Sequence, residues 1–189
     1  MDRIAFAQWG VQHGHAAGKA LALRANPATD LRGVYEADPE VRARAEADPA
    51  YSGLYWYREP EEFLASPDIV AVAVEGRNAE SLAQARACVD ARKHVWWDKP
   101  AGDDWAGFQW IAAAAEQHDL VLQLGYMFRY HDGFNLIARL AREGGLGDVF
   151  SVRAHMSTSI PVRAWPSNNT REAISTHVGG MLFDLGGQR

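Results

Sequence analysis

The chain has 189 residues, 48% of them hydrophobic and 23% charged, with a formal net charge of -5. That length holds one complete domain with its own core and part of another, and the acidic balance excludes a surface basic enough to grip nucleic acid. No run of roughly 20 apolar residues could span a membrane, no basic-then-apolar leader opens the sequence, and the single cysteine, Cys88, excludes an internal disulfide, so a cytoplasmic protein without a membrane partner is expected.

Taken in chain order, Ile4–Trp9 is predicted as the first strand, Gly14–Arg24 as an alanine-rich helix and Leu31–Tyr35 as the second strand. Pro39–Ala47 follows as a helix, with Asp38 at its cap and Pro39 in its first turn, where a missing N–H costs nothing. Glu61–Ala65 is a short helix. Residues 69–74 are apolar without a break, the pattern of a strand buried on both faces of a parallel sheet. Asn78 is placed to cap a helix that ends near Arg92. His94–Trp97 is a strand, Asp103 or Asp104 opens a helix to about His118, and Leu120–Leu124 is a strand. Strict strand–helix alternation predicts an α/β fold with a doubly wound parallel sheet over residues 1–124. After Gly125 the texture changes. Asp132–Arg142 is predicted as a helix ended by Gly144-Gly145, and Asp148–His155 alternates like a strand. One strand makes no sheet, so residues 125–189 are expected to be a second domain cut short. Trp96, Trp97, Trp105 and Trp110 are expected in core and interdomain packing rather than as a ligand-stacking platform.

In an open parallel sheet, ligands bind beyond the carboxyl ends of the strands. After the first strand, Gln8-Trp9-Gly10-Val11-Gln12-His13-Gly14-His15 is a degenerate version of the glycine-rich phosphate turn. Gly10 stands for the middle glycine, His13 stands where the third would be, and Gly14 comes one place late. The fingerprint works because glycine lets the backbone approach a pyrophosphate at a helix N-terminus. Gly10, Gln12 and His13 are therefore candidate cofactor residues. His13 and His15 have no cysteine or acid beside them in the sequence, so no metal site is expected. Glu36, at the end of the second strand, can accept the ribose hydroxyls of adenosine, and its charge would repel a 2′-phosphate, favouring NAD over NADP. Asn78 can touch the cofactor as well as cap its helix. Lys99 follows a buried strand and precedes Pro100, which keeps it out of helical geometry; there it would project toward the ligand crevice and could exchange a proton.

His94-Val95-Trp96-Trp97-Asp98-Lys99-Pro100 resembles the "KHVxxEKP" segment of the Gfo/Idh/MocA oxidoreductases, a family that includes glucose–fructose oxidoreductase and inositol dehydrogenases. Gly125-Tyr126-Met127-Phe128-Arg129, Leu146-Gly147-Asp148-Val149 with Ser151-Val152-Arg153, and Gly179-Gly180-Met181-Leu182-Phe183-Asp184-Leu185-Gly186 resemble further segments in the same order. The resemblance implies an N-terminal Rossmann domain and a C-terminal α/β domain with a large open sheet, of which residues 125–189 carry the incomplete start and which often makes a homo-oligomer interface in the full-length protein. It implies that Lys99 and Asp184 are catalytic, that Gly10, Glu36, Asn78, Asp98 and Pro100 lie at the cofactor, and that Arg129 joins Lys99 and Asp184 at the substrate. Asp98 replaces the common glutamate, and Gln188 stands where a histidine is usual; glutamine cannot shuttle a proton near neutral pH.

The activity so implied is NAD(P)-dependent hydride transfer to or from a sugar, polyol or inositol-like hydroxyl. The eroded glycine turn and Gln188 leave open a non-catalytic dinucleotide-binding protein or sensor. A third expectation is an exposed apolar patch of Val149, Phe150, Met181 and Phe183 that drives association.

Overall fold

The computed structural model describes residues 3–155. Asp184, Gln188, Met181 and Phe183 lie outside the described residues. Six strands, β1 (Ile4–Trp9), β2 (Thr29–Tyr35), β3 (Tyr55–Trp56), β4 (Ala71–Val74), β5 (His94–Trp97) and β6 (Leu122–Leu124), form one parallel sheet in the order β3-β2-β1-β4-β5-β6. The helices are α1 (Ala16–Ala25), α2 (Pro39–Glu46), α3 (Glu61–Leu64), α4 (Asn78–Asp90), α5 (Trp105–Gln117) and α6 (Asp132–Arg142). The strand order reverses at β1, between its neighbours β2 and β4, and the carboxyl ends there open the crevice in which such sheets bind ligands.

The period of two along β4 divides the core. Val72 and Val74 join Phe63, Cys88, Val89, Val95, Trp97 and Ile111 on one face. Ala73 packs with Ala20, Leu23, Leu31, Val34 and Tyr51 on the other. All four β4 residues are buried, as an unbroken apolar run at the centre of a parallel sheet requires. Two helix starts follow the capping rule. The Asp38 carboxylate accepts from the N–H groups of Glu40 and Val41 at 2.9 and 3.1 Å, and Asp104 accepts from Ala106 N–H at 3.0 Å.

Four details differ from the sequence reading. Arg77, in extended conformation, occupies the cap of α4, and Asn78 is its first helical residue; the chain enters the helix one residue earlier than a side-chain cap at Asn78 would require. Leu120 is not in β6, because its N–H closes the end of α5 by donating to Ala115. Residues 148–155 pair with no strand among the described residues. Phe150 is 99% exposed and Val152 84%, so alternation alone, without a neighbouring strand, leaves a segment unpaired. The exposure of Val149 and Phe150 matches the expected patch in its two described members. Trp97 is a core residue, but Trp105 and Trp110 are exposed. α5 buries only Ile111 and Ala115; Trp105 stacks on Phe108, and the Arg86 guanidinium covers Trp110 at 4.2 Å. Among the described residues no helix is long and apolar enough to cross a membrane.

Candidate functional site

The turn after β1 has the geometry that its one well-placed glycine suggests. Gly10 has φ +88°, a conformation that costs other residues strain, and a Cβ there would drive into the backbone of Gly76. The turns after β1 and β4 thus touch at the switch point through two glycines. Gly10 N–H donates to Tyr35 and His13 N–H to Glu75, pinning the turn to the ends of β2 and β4. Among the described residues no acceptor faces the amides of Gln12 and Gly14, which lie ahead of α1 where a phosphate would meet the helix N-terminus.

Glu36 is 6% exposed and closes that turn from the side. Its Oε2 accepts from Val11 N–H at 3.1 Å, and its Oε1 accepts from Gln12 Nε2 at 2.9 Å and Asp38 N–H at 3.1 Å. A carboxylate offers about four acceptor positions, so capacity remains for a hydroxyl donor. All three partners are neutral.

The end of β5 is held differently. Lys99 is 7% exposed and its backbone is clamped on both sides: its N–H donates to Asp98 Oδ1 at 2.8 Å, and its carbonyl lies 3.1 Å from His13 Nε2. The carbonyl can only accept, so His13 Nε2 carries the proton; its Nδ1 in turn accepts from His15 N–H at 3.2 Å. The Lys99–Pro100 peptide is cis. Asp98 lies 3.2 Å from His15 Nδ1 and 3.1 Å from Lys19 Nζ. Lys19 also pairs with Glu75, whose other oxygen is 3.5 Å from His13 Nδ1. Burial raises the cost of charge on Asp98, but the hydrogen bond from His15 and the ammonium of Lys19 outweigh it and hold the carboxyl well below its usual range. Gly125, at the end of β6, lies so close that a Cβ would meet Asp98 Oδ1 at 2.8 Å.

Residues 9–126 match the oxidoreductase family with an NAD-binding Rossmann fold, Gfo/Idh/MocA. The chain belongs to this family. It is 26% identical over 185 residues to trans-1,2-dihydrobenzene-1,2-diol dehydrogenase of Danio rerio, covering 95% of this chain and 52% of that one. It is 29% identical over 161 residues to dTDP-3,4-didehydro-2,6-dideoxy-alpha-D-glucose 3-reductase of Saccharopolyspora spinosa, covering 79% and 46%. This Gfo/Idh/MocA chain therefore spans about half the length of the curated relatives it matches. Among solved structures, an NAD-binding protein from Listeria innocua superposes over 100% of this chain and 51% of its own, with TM-score 0.80 and 22% identity. Scyllo-inositol dehydrogenase from Lactobacillus casei, with NAD(H) and scyllo-inositol bound, covers 78% and 43%, with TM-score 0.67 and 22% identity. These structural likenesses carry the fold.

The Gfo/Idh/MocA Rossmann domain brings the sequence candidates into two groups. Gln12 and Glu36 form one, joined by a hydrogen bond beside the Gly10 turn; His13, Asp98, Lys99 and Pro100 form the other, at the end of β5. Asn78 opens α4 beside the Gly76 turn, and Arg129 is exposed in a 3-10 turn, Met127–Tyr130, just past β6. The sequence reading missed Lys19 and did not count Glu75 as a site residue. A signal for Lys19 existed: it falls in the buried stripe Ala16, Lys19, Ala20, Leu23 of α1, where a charge needs a buried partner. The acid that His13 and His15 lack in sequence arrives from β4 and β5. The residues present fit NAD: the Gly10 turn packs against Gly76 with no side chain between them, two amides lie open at α1, and Glu36 keeps acceptor capacity.

Proposed function

We propose that this chain is the nucleotide-binding part of an NAD-dependent dehydrogenase that oxidises or forms a CH–OH group on a sugar, polyol or inositol-like substrate. The observation that supports it best is Lys99: a buried lysine at a strand's carboxyl end, its backbone fixed by Asp98 and His13, next to the switch-point crevice. Bound NAD would supply the hydride acceptor. The Gly10 turn and the amides of Gln12 and Gly14 would hold the pyrophosphate, and Glu36 the adenosine ribose. The negative charge of Glu36 supports NAD over NADP. Lys99 would take the hydroxyl proton as the carbinol becomes a carbonyl, and return it in the reverse direction. Asp184 would orient the substrate hydroxyls and Arg129 would contribute to the same pocket. In a polypeptide carrying the substrate site, Lys99→Ala should lower turnover by about 100-fold or more, the scale of general acid–base catalysis, while NAD affinity stays within a few-fold. Turnover unchanged by that substitution would remove the assignment.

A further inference from the structure

We propose that His13 Nδ1, His15 Nδ1 and the Asp98 carboxylate form a site for one divalent transition-metal ion of the zinc or cobalt type. The candidate ligand atoms of these three residues all lie within 4.8 Å of one another. His15 Nδ1 is 3.2 Å from each Asp98 oxygen, and His13 Nδ1 is 3.7 Å from Asp98 Oδ2. A tetrahedral ion with bonds of about 2.0–2.1 Å separates its ligand atoms by roughly 3.3 Å, close to the spacing at which the His15–Asp98 and His13–Asp98 pairs already stand. For His13 the tautomer is already the required one; His15 Nδ1 donates to Asp98, and an ion would take the place of that proton. His13 donates through Nε2 to the Lys99 carbonyl, the supporting contact that metal-binding histidines use, and its Nδ1 lone pair, now taken by the His15 N–H, is the one an ion would use.

Charge points the same way. Two buried carboxylates, Glu75 and Asp98, face one ammonium, Lys19, leaving the set short by one positive charge. Glu75 has a fully buried side chain and aims its Oε2 at His13 Nδ1 from 3.5 Å. Three protein ligands leave a fourth position for water, and the site has an entry: a cavity of about 480 Å³ lined by His15, Lys19, Asp98, Trp96, Gln123 and Tyr130. Two imidazoles with a carboxylate and no thiolate suit zinc or cobalt better than magnesium or calcium.

The test uses the tag-free chain, stripped of metal and titrated with Co²⁺, followed by visible ligand-field absorption. One saturable site per chain with the strong bands of tetrahedral cobalt, displaced by Zn²⁺, is expected. His15→Ala should weaken Co²⁺ binding by at least about 100-fold, the upper end of what loss of a mere supporting contact costs. The His15 side chain is 37% exposed, so this variant should fold, and circular dichroism verifies that it does. Absence of tetrahedral bands in the wild-type chain, or equal Co²⁺ affinity in folded His15→Ala, overturns the proposal.

Discussion

Two buried acidic sites lie at the carboxyl edge of the same sheet, and their partners differ in kind. At β2, Glu36 meets only neutral donors, the amides of Val11 and Asp38 and the side chain of Gln12. At β4 and β5, Glu75 and Asp98 meet Lys19, His13 and His15. A carboxylate among neutral donors keeps both its charge and its spare lone pairs, which suits it to select hydroxyl groups and reject phosphate. A carboxylate among cationic and imidazole partners is held in place by them, and here Asp98 also fixes the backbone that carries Lys99. Burial is similar at both, so the two differ in the nature of their partners.

The largest effect that would sharpen this contrast is loss of Lys19. Lys19→Met leaves Glu75 and Asp98 buried without their ammonium and should destabilise the fold by about 3–5 kcal/mol. Gln12→Ala, which removes one neutral donor from Glu36, should cost only about 1 kcal/mol. Urea denaturation of both variants measures the gap; equal costs would break the comparison. Next in size is Gly10→Ala. The positive φ alone costs about 1–3 kcal/mol, the collision with Gly76 adds to it, and isothermal titration should show NADH binding lost with it. Retained stability and binding would show that the switch-point contact is dispensable.

Cys88 extends the comparison to an acid in an apolar core, and its effect is the smallest at neutral pH. Burial pushes its thiol well above the usual range, against a weak opposing influence from Lys93. A group with a raised folded pKa gives stability that is complete below the unfolded value, about 8.5, and is lost as pH rises above it. Denaturation midpoints should therefore fall above about pH 8.5, and less steeply in Cys88→Ala. An identical pH profile in the variant would exclude the thiol as the cause.

Much of this was legible in the residues. Alternation and the run Ile69–Val74 specified the parallel sheet, and Asp38-Pro39 and Asp104 marked helix starts that the coordinates reproduce. Glu36 and Lys99 were readable because their places follow from strand ends. What could not be read were contacts made by folding. Lys19, Glu75 and Asp98 come from α1, β4 and β5, and nothing local pairs them. β3 is only two residues long and carries too short a pattern to detect. Asn78 misled because a good capping residue is also acceptable one place inside a helix, and residues 148–155 misled because alternation predicts a strand only where a neighbour exists to pair with it.

In the proposed function, Glu36 selects the cofactor. The most direct measurement is fluorescence titration of the chain with NADH and NADPH, in the wild type and in Glu36→Gln. The wild type should bind NADH more tightly than NADPH. Glu36→Gln should weaken NADH by about 10-fold or more, as expected for loss of hydrogen bonds to a charged group, and narrow the preference. NADPH binding as tight as NADH in the wild type, or a preference unchanged by Glu36→Gln, would contradict it.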